Sequence, residues 1–462
     1  MKRIYLDYAA TTPIDPRVAQ AMRPYFSAKF GNPGSLHFFG QEAIATTDRA
    51  REIVAKVIGC PPARGFREIV FTGSATEANN LALRGVVKMF RFSSGVTSSS
   101  SPYDGSRGTV PQNRLSARSR GEQQSALSAK NFDEVENQSF LPPRAFSEQF
   151  PSKSSPSPRR IIPRILVSSM EHESVLETAR DLEREGVEVV YIPVDREGRI
   201  DLDFLRRNLN DRTALVSVIY VNNEIGTIQP IHEIAGIVEK FKERAGSEGV
   251  WPLIHTDATQ AFQYLDCGIN RVRVDMMTLS GHKMYGPKGI GVLYIKNQSS
   301  IRRRADKNQN EGGSFVTPII TGGGQEFGLR SGTENVPAIV GFAKAVELVA
   351  RRREKEAKRV MFLRDYFWHM IKSNFKDVEI NGSVTHRVAN NLNVYFPGML
   401  AEDILVKLDL AGVAISAGSA CASRAVRLSP TLSACGFPQQ RIQSSVRFSL
   451  GLGTSRGVIN EA

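Results

Sequence analysis

Ser280-Gly281-His282-Lys283-Met284-Tyr285-Gly286-Pro287-Lys288-Gly289 follows directly on the apolar run Met276-Met277-Thr278-Leu279. A lysine in a glycine-rich turn at the end of a buried strand can reach into a pocket instead of lying on solvent. A second apolar run upstream ends in an acid: Leu253-Ile254-His255-Thr256-Asp257-Ala258-Thr259-Gln260. If both runs are strands of one sheet, their carboxyl ends bring Lys283 and Asp257 together in the crevice where α/β folds bind ligands. An amine that can condense with an aldehyde and a carboxylate that can pair with a pyridinium nitrogen are the protein groups pyridoxal phosphate most needs.

Working outward, the chain alternates strand and helix. Glu68–Phe71 reads as a short buried strand, and Thr72-Gly73-Ser74-Ala75-Thr76-Glu77 leads from it into a helix. The free N–H groups at such a helix start suit a phosphate. Strand-like runs recur at 164–169, 187–192 and 214–219, with helices between them, and Gly289–Lys296 reads as a strand turning back. The pattern predicts an α/β fold with a mostly parallel sheet. A long helix over about 340–372 and the later runs at 390–396, 413–416 and 445–450 predict a smaller α+β domain. The expected large domain is 15–335, and the small one is 1–14 with 336–462. The serine-rich stretch 92–160 interrupts the large domain. It carries too little apolar periodicity to offset its ordering entropy. It reads as a disordered insertion, either inert or a partner-binding arm.

The 462 residues suffice for two domains with substantial cores. No apolar stretch has the length of a membrane span. The start, Met1-Lys2-Arg3-Ile4-Tyr5-Leu6-Asp7, meets an aspartate before a signal-like core can form, so a cytoplasmic protein is expected. The net charge of +13 permits contact with nucleic acid. Much of it sits on helix-like faces such as Arg351-Arg352-Arg353-Glu354, which read as solvated, so nucleic acid is not expected as a partner. The four cysteines form no C-x-x-C pair and no zinc-like cluster, and no metal is expected. Gly322-Gly323-Gly324-Gln325-Glu326-Phe327 fails as a dinucleotide fingerprint, because Phe327 stands where the last glycine belongs.

Polar groups just after predicted strands recur: Thr76, His172, Asn223, Asp257, Gln260, His282 and Lys283. Their number on one sheet edge argues for one pocket. Together with Tyr5-Leu6-Asp7-Tyr8-Ala9-Ala10-Thr11-Thr12-Pro13, Gly31-Asn32-Pro33, Glu171-His172, Val221–Gly226, Arg330-Ser331-Gly332-Thr333, Gly418-Ser419-Ala420-Cys421 and Val446–Gly451, they resemble a cysteine desulfurase of the NifS/IscS type. These are class V aminotransferases of pyridoxal-phosphate fold type I. The resemblance covers the chain except for the serine-rich insertion. The family also continues into a closing helix that is expected to be lacking here.

The resemblance implies roles. Lys283 would hold the cofactor and move the Cα proton, and Asp257 would pair with the ring nitrogen; Asp257 also reads as a helix cap. His172 would stack on the ring, with Asn223 and Gln260 bonding its phenolic oxygen or the substrate. Ala75 and Thr76, with Ser280 and His282, would hold the phosphate. Thr333 would reach the cofactor phosphate of a second subunit, which implies a homodimer; it also reads as a helix cap. Arg447 would take the carboxylate of L-cysteine, unless it is a strand arginine paired at the surface. Cys421 would take the sulfur as a persulfide and hand it to an acceptor protein for iron–sulfur cluster assembly or for thiolation of tRNA or cofactors. From its neighbours alone, Cys421 reads equally as a small buried cysteine. Cys60, Cys267 and Cys435 read as structural. A selenocysteine lyase or another class V aminotransferase is the near alternative, and a non-catalytic scaffold the distant one.

Overall fold

Seven strands form the central sheet, all but the edge strand Glu188–Ile192 buried over most of their length. A computed structural model describes residues 3–62, 65–93, 161–244, 250–296, 314–418 and 428–462. In chain order the elements are β1 Ile4–Tyr5, α1 Pro16–Met22, α2 Phe38–Val57, β2 Ile69–Thr72, α3 Ala75–Ser93, β3 Arg164–Ser168, α4 Glu173–Arg184 and β4 Glu188–Ile192. There follow α5 Leu202–Asn208, β5 Thr213–Ser217, α6 Ile231–Arg244, β6 Leu253–Asp257, α7 Ile269–Val272, β7 Met276–Ser280 and β8 Gly291–Ile295. The last part holds α8 Val336–Asn374, β9 Glu379–Ile380, β10 Asn391–Tyr395, α9 Ala401–Leu410, β11 Val413–Ala414, two short helices, β12 Ser445–Ser449 and, after it, a short helix Arg456–Glu461 that buries Ile459.

The central sheet has the order β2-β8-β7-β6-β5-β3-β4. The pairs from β7 through β4 are parallel, and β8 is antiparallel to both β7 and β2. Its strands read as near-continuous apolar runs because helices cover both faces. Side-chain alternation divides them: Leu166, Val216, Ile254 and Met277 join the core under α2, α6 and α8. Ile165, Val167, Leu215 and Leu253 join the core under α3 and α4. The expected mostly parallel α/β sheet is the observed one.

Two smaller sheets come from the chain ends. β12, β10 and β9 form an antiparallel sheet, and β1 pairs in parallel with β11. Asp7 then bridges to Ser449, so the N-terminal segment lies alongside β12. The long helix expected over 340–372 extends over Val336–Asn374, capped by the Asn335 side chain on the Ala338 N–H. Residues 1–94 and 161–462 form one compact unit. The serine-rich stretch from 94 to 160 lies outside the described residues.

Candidate active site

β7 ends at Ser280, and the chain turns at once into a tight 3-10 segment, Gly281–Lys283. Glycine is required at 281, since a Cβ there would meet the Pro287 carbonyl oxygen at 2.7 Å and Ile290 at 2.8 Å. Thr12 grips the turn twice. Its hydroxyl donates to the His282 carbonyl at 2.9 Å and accepts from the Tyr285 N–H at 2.8 Å. The Lys283 ammonium donates to the Ala9 and Ala10 carbonyls, both at 2.7 Å. Burial, reinforced by the charges of Lys283 and Lys288, pushes His282 down to about 4.

Asp257 closes β6 and is 4 % exposed. Asn79 in α3 donates its Nδ2 to Oδ2 at 2.8 Å, and the Thr259 N–H donates to Oδ1 at 2.9 Å. No α-helix begins there, so Asp257 caps a turn and not the helix its sequence allowed. His172 is the N-cap of α4: its Nδ1 accepts from the Ser174 N–H at 3.1 Å. That bond leaves the neutral ring's proton on Nε2. Burial is the main cause of its lowered pKa; the Lys283 charge adds to it and Asp257 opposes it.

The turn Gly73-Ser74 joins β2 to α3. The Ser74 hydroxyl accepts from the Glu77 N–H at 3.1 Å, and Glu77 in turn accepts from the Gly73 N–H at 2.9 Å. This reciprocal cap uses the outer amides. Among the described residues, the Ala75 and Thr76 amides have no protein acceptor. Gly291 lets the turn sit against β8, since a Cβ there would meet the Ser74 carbonyl carbon at 2.5 Å.

Arg447 on β12 is 1 % exposed. Its Nη1 donates to the Asn223 carbonyl at 2.8 Å, and its Nη2 lies 2.8 Å from Asp7 Oδ1. The surface-pair reading of this arginine is therefore corrected: the pair exists but is buried. These groups border one cavity of about 450 Å³ at the carboxyl edge of the sheet. Thr76, His172, Asn223, Asp257, Gln260, Ser280, His282, Lys283, Arg447 and the Ala75 backbone all line it.

A model of the family described as Aminotransferase class-V matches residues 4–97 and 162–459. The chain belongs to the class V aminotransferases. A cysteine desulfurase IscS of Dictyoglomus turgidum is 36% identical over 461 residues, covering 100% of this chain and 93% of the relative. Another, from Rickettsia typhi, is 36% identical and covers 99% and 89%. Among solved structures, a NifS-like protein superposes with a TM-score of 0.74 at 28% identity, over 99% of this chain and 96% of that one. A structure described as SspA in complex with cysteine gives 0.68 at 28%, over 97% and 98%. Within the family the chain is a NifS/IscS-type cysteine desulfurase, a pyridoxal-phosphate enzyme.

The donor set of this class V enzyme fits that cofactor. The two unpaired amides at the α3 start suit a phosphate. Asp257 takes the hydrogen bonds just described from neutral donors only, which leaves its charge for a pyridinium. The Thr259 hydroxyl beside it is buried without a partner among the described residues. Two expected site residues stand apart. Thr333 is exposed and does not line the cavity, and Asn335, not Thr333, caps α8. Cys421 lies outside the described residues. The other three cysteines are buried, and burial raises all their thiols, Cys267 and Cys435 to about 12.

Several groups escaped the sequence reading. Asn79 and Asp7 hold Asp257 and Arg447, and the Ala9 carbonyl accepts from both Lys283 and Gln260. Asn79 left a signal: it is a polar residue on the same buried α3 face as Leu83 and Val86.

Proposed function

We propose that the protein removes sulfur from L-cysteine, releasing L-alanine, with Lys283 as the proton carrier at Cα, Arg447 as the carboxylate site and Cys421 as the sulfur acceptor. The observation that carries this reading is the amine of Lys283, the carboxylate of Asp257 and the guanidinium of Arg447 on one cavity. Bound pyridoxal phosphate supplies a ring that takes up the electron pair released at Cα. Asp257 would hold positive charge at the ring nitrogen, and His172 would pack against the ring as a neutral side chain. Ala75, Thr76, Ser280 and His282 would hold the phosphate, with Gln260 and Asn223 at the polar edge. When Lys283 carries the Cα proton, the Ala9 and Ala10 carbonyls stabilise its ammonium. The Cys421 thiolate attacks the substrate sulfur. The S–Cβ bond breaks with its electron pair on carbon, a proton completes the methyl of alanine, and the sulfur stays on Cys421 as a persulfide.

Covalent reach supports Cys421. Ser416 exchanges two backbone hydrogen bonds with Arg447, at 3.2 and 2.6 Å. Cys421 follows that anchor by five residues of sequence. The persulfide then passes to an acceptor protein for iron–sulfur cluster assembly or thiolation. A homodimer is part of the same reading. It is supported by the exposed apolar residues Phe26, Phe30, Leu36 and Phe38, too many in one short segment for scattered surface hydrophobics. Thr333 would then act on the second subunit's cofactor. The division into domains 15–335 and 1–14 with 336–462 is supported by their separate sheets. A cytoplasmic setting accords with the finding that, among the described residues, no helix is long and apolar enough to cross a membrane.

The test is the holoenzyme with L-cysteine and a dithiol reductant. Alanine and sulfide should appear in equal amounts, and Cys421→Ser should reduce both to background. A Cys421→Ser enzyme that keeps its full rate on L-cysteine would overturn the assignment. One that loses cysteine but keeps L-selenocysteine would fit a selenocysteine lyase.

A further inference from the structure

A buried guanidinium is costly unless a counter-charge accompanies it. Arg447 is buried, and among the described residues its Nε–H has no protein acceptor. Two carboxyl groups stand near it. Glu224 is buried, which raises its pKa, and it already accepts a hydrogen bond from the Ser429 hydroxyl at 2.5 Å. Asp7 is the one in contact, 2.8 Å from Nη2. The scaffold holds both partners independently of their charges. Asp7 bridges to Ser449, the Tyr8 N–H donates to the Ser449 carbonyl at 3.3 Å, and Arg447 pairs with Asn393 in the sheet.

We propose that Asp7 is a counter-charge that limits the affinity of Arg447 for amino-acid carboxylates and so speeds release of the alanine product. The inference rests on the reading of Arg447 as the carboxylate site. Product and substrate share the same α-carboxylate and differ at the sulfur. An unopposed buried arginine would hold both tightly, and alanine would occupy the site. With Asp7 present, the incoming carboxylate shares a cation already neutralised, and the two anions repel. The exchange involves no bond making: the carboxylate approaches the guanidinium from the cavity that Arg447 lines, while Asp7 keeps Nη2.

The test is calorimetric binding of L-alanine to the cofactor-loaded enzyme, with cysteamine as a probe that lacks the carboxylate. Asp7→Asn removes the charge and keeps the shape; Asp7→Ala is the second variant should the first fail to load cofactor. Either is expected to bind L-alanine about tenfold tighter, the scale of repulsion between two anions on one cation. Product inhibition should rise in proportion, with cysteamine binding unchanged. Arg447→Gln should weaken L-alanine binding severely. If Arg447→Gln weakens alanine but the Asp7 variants leave it unchanged or weaker, Asp7 only positions the arginine and the proposal fails while the carboxylate site stands. A gain shared by cysteamine also overturns it. If Arg447→Gln binds alanine normally, the carboxylate site itself is wrong and the proposal falls with it.

Discussion

Asn79→Leu should weaken pyridoxal phosphate binding without touching the cofactor. Asn79 is fully buried and donates to Asp257 Oδ2 and to the Ser174 hydroxyl, both at 2.8 Å. Leucine fills a similar volume but offers no donor. The bond to Asp257 is charge-assisted, and such bonds contribute about 1.5–3 kcal/mol. Their loss corresponds to roughly a 10- to 150-fold change in an equilibrium constant. Thr259 still holds Oδ1, so the carboxylate keeps one anchor and the lower end of the range is expected. Titration of the apo protein with cofactor, followed by absorbance, gives the dissociation constant. Circular dichroism checks that the variant is folded. Asn79→Asp should do worse than leucine, because it sets a like charge against Asp257. A folded Asn79→Leu with the wild-type constant, or an Asn79→Asp that binds better than Asn79→Leu, would refute the reasoning.

Two more outcomes follow from the same geometry. Thr12→Val removes a donor and orphans the buried Tyr285 N–H, a loss of about 2–4 kcal/mol; the thermal midpoint and kcat should both fall, and Thr12→Ser should restore both. His255 bonds Ser217 and Thr278 in the core, and burial pushes it down to about 4. The unfolded chain binds its proton from about pH 6.5 and the folded chain only near 4, so stability is lost as pH falls through that window, by up to about 3 kcal/mol. Urea midpoints measured from pH 7 to 4.5 should fall more steeply for the wild type than for His255→Gln; parallel curves would exclude His255 as the cause.

The site was legible in the sequence where an apolar run ends in a polar group. Strands buried on both faces are mostly apolar, so Asp257 and Ser280 stand out at their ends and fall on the edge where α/β folds bind ligands. The partners were hidden by separation along the chain. Asp7 meets Arg447 across 440 residues, and no local pattern announces that pair. Backbone carbonyls such as those of Ala9 and Ala10 carry no signature in a side-chain alphabet. The cap reading of Asp257 failed because an Asx turn and a helix N-cap use the same side-chain-to-amide bond two or three residues on. Only the chain beyond the turn distinguishes them.

The segment from Tyr5 to Thr12 therefore carries more of the site than its length implies. Asp7 pairs with Arg447, the Ala9 N–H donates to the Ser449 hydroxyl at 2.8 Å, and Ala9, Ala10 and Thr12 hold the Lys283 turn. An α-amino acid has its amine and carboxylate on one carbon, so a productive pose needs the lysine and the arginine at one fixed separation. β7 and β12 belong to different sheets, and no backbone ladder links them. The strap bonds to both and supplies that link. Alanine at 9 and 10 leaves the carbonyls open to Lys283, where larger side chains on the cavity wall would compete with the substrate for space. A change at Ala9, Ala10 or Thr12 should accordingly alter KM and kcat together, whereas Asp7→Asn, which keeps the shape, is expected to move affinity for the carboxylate.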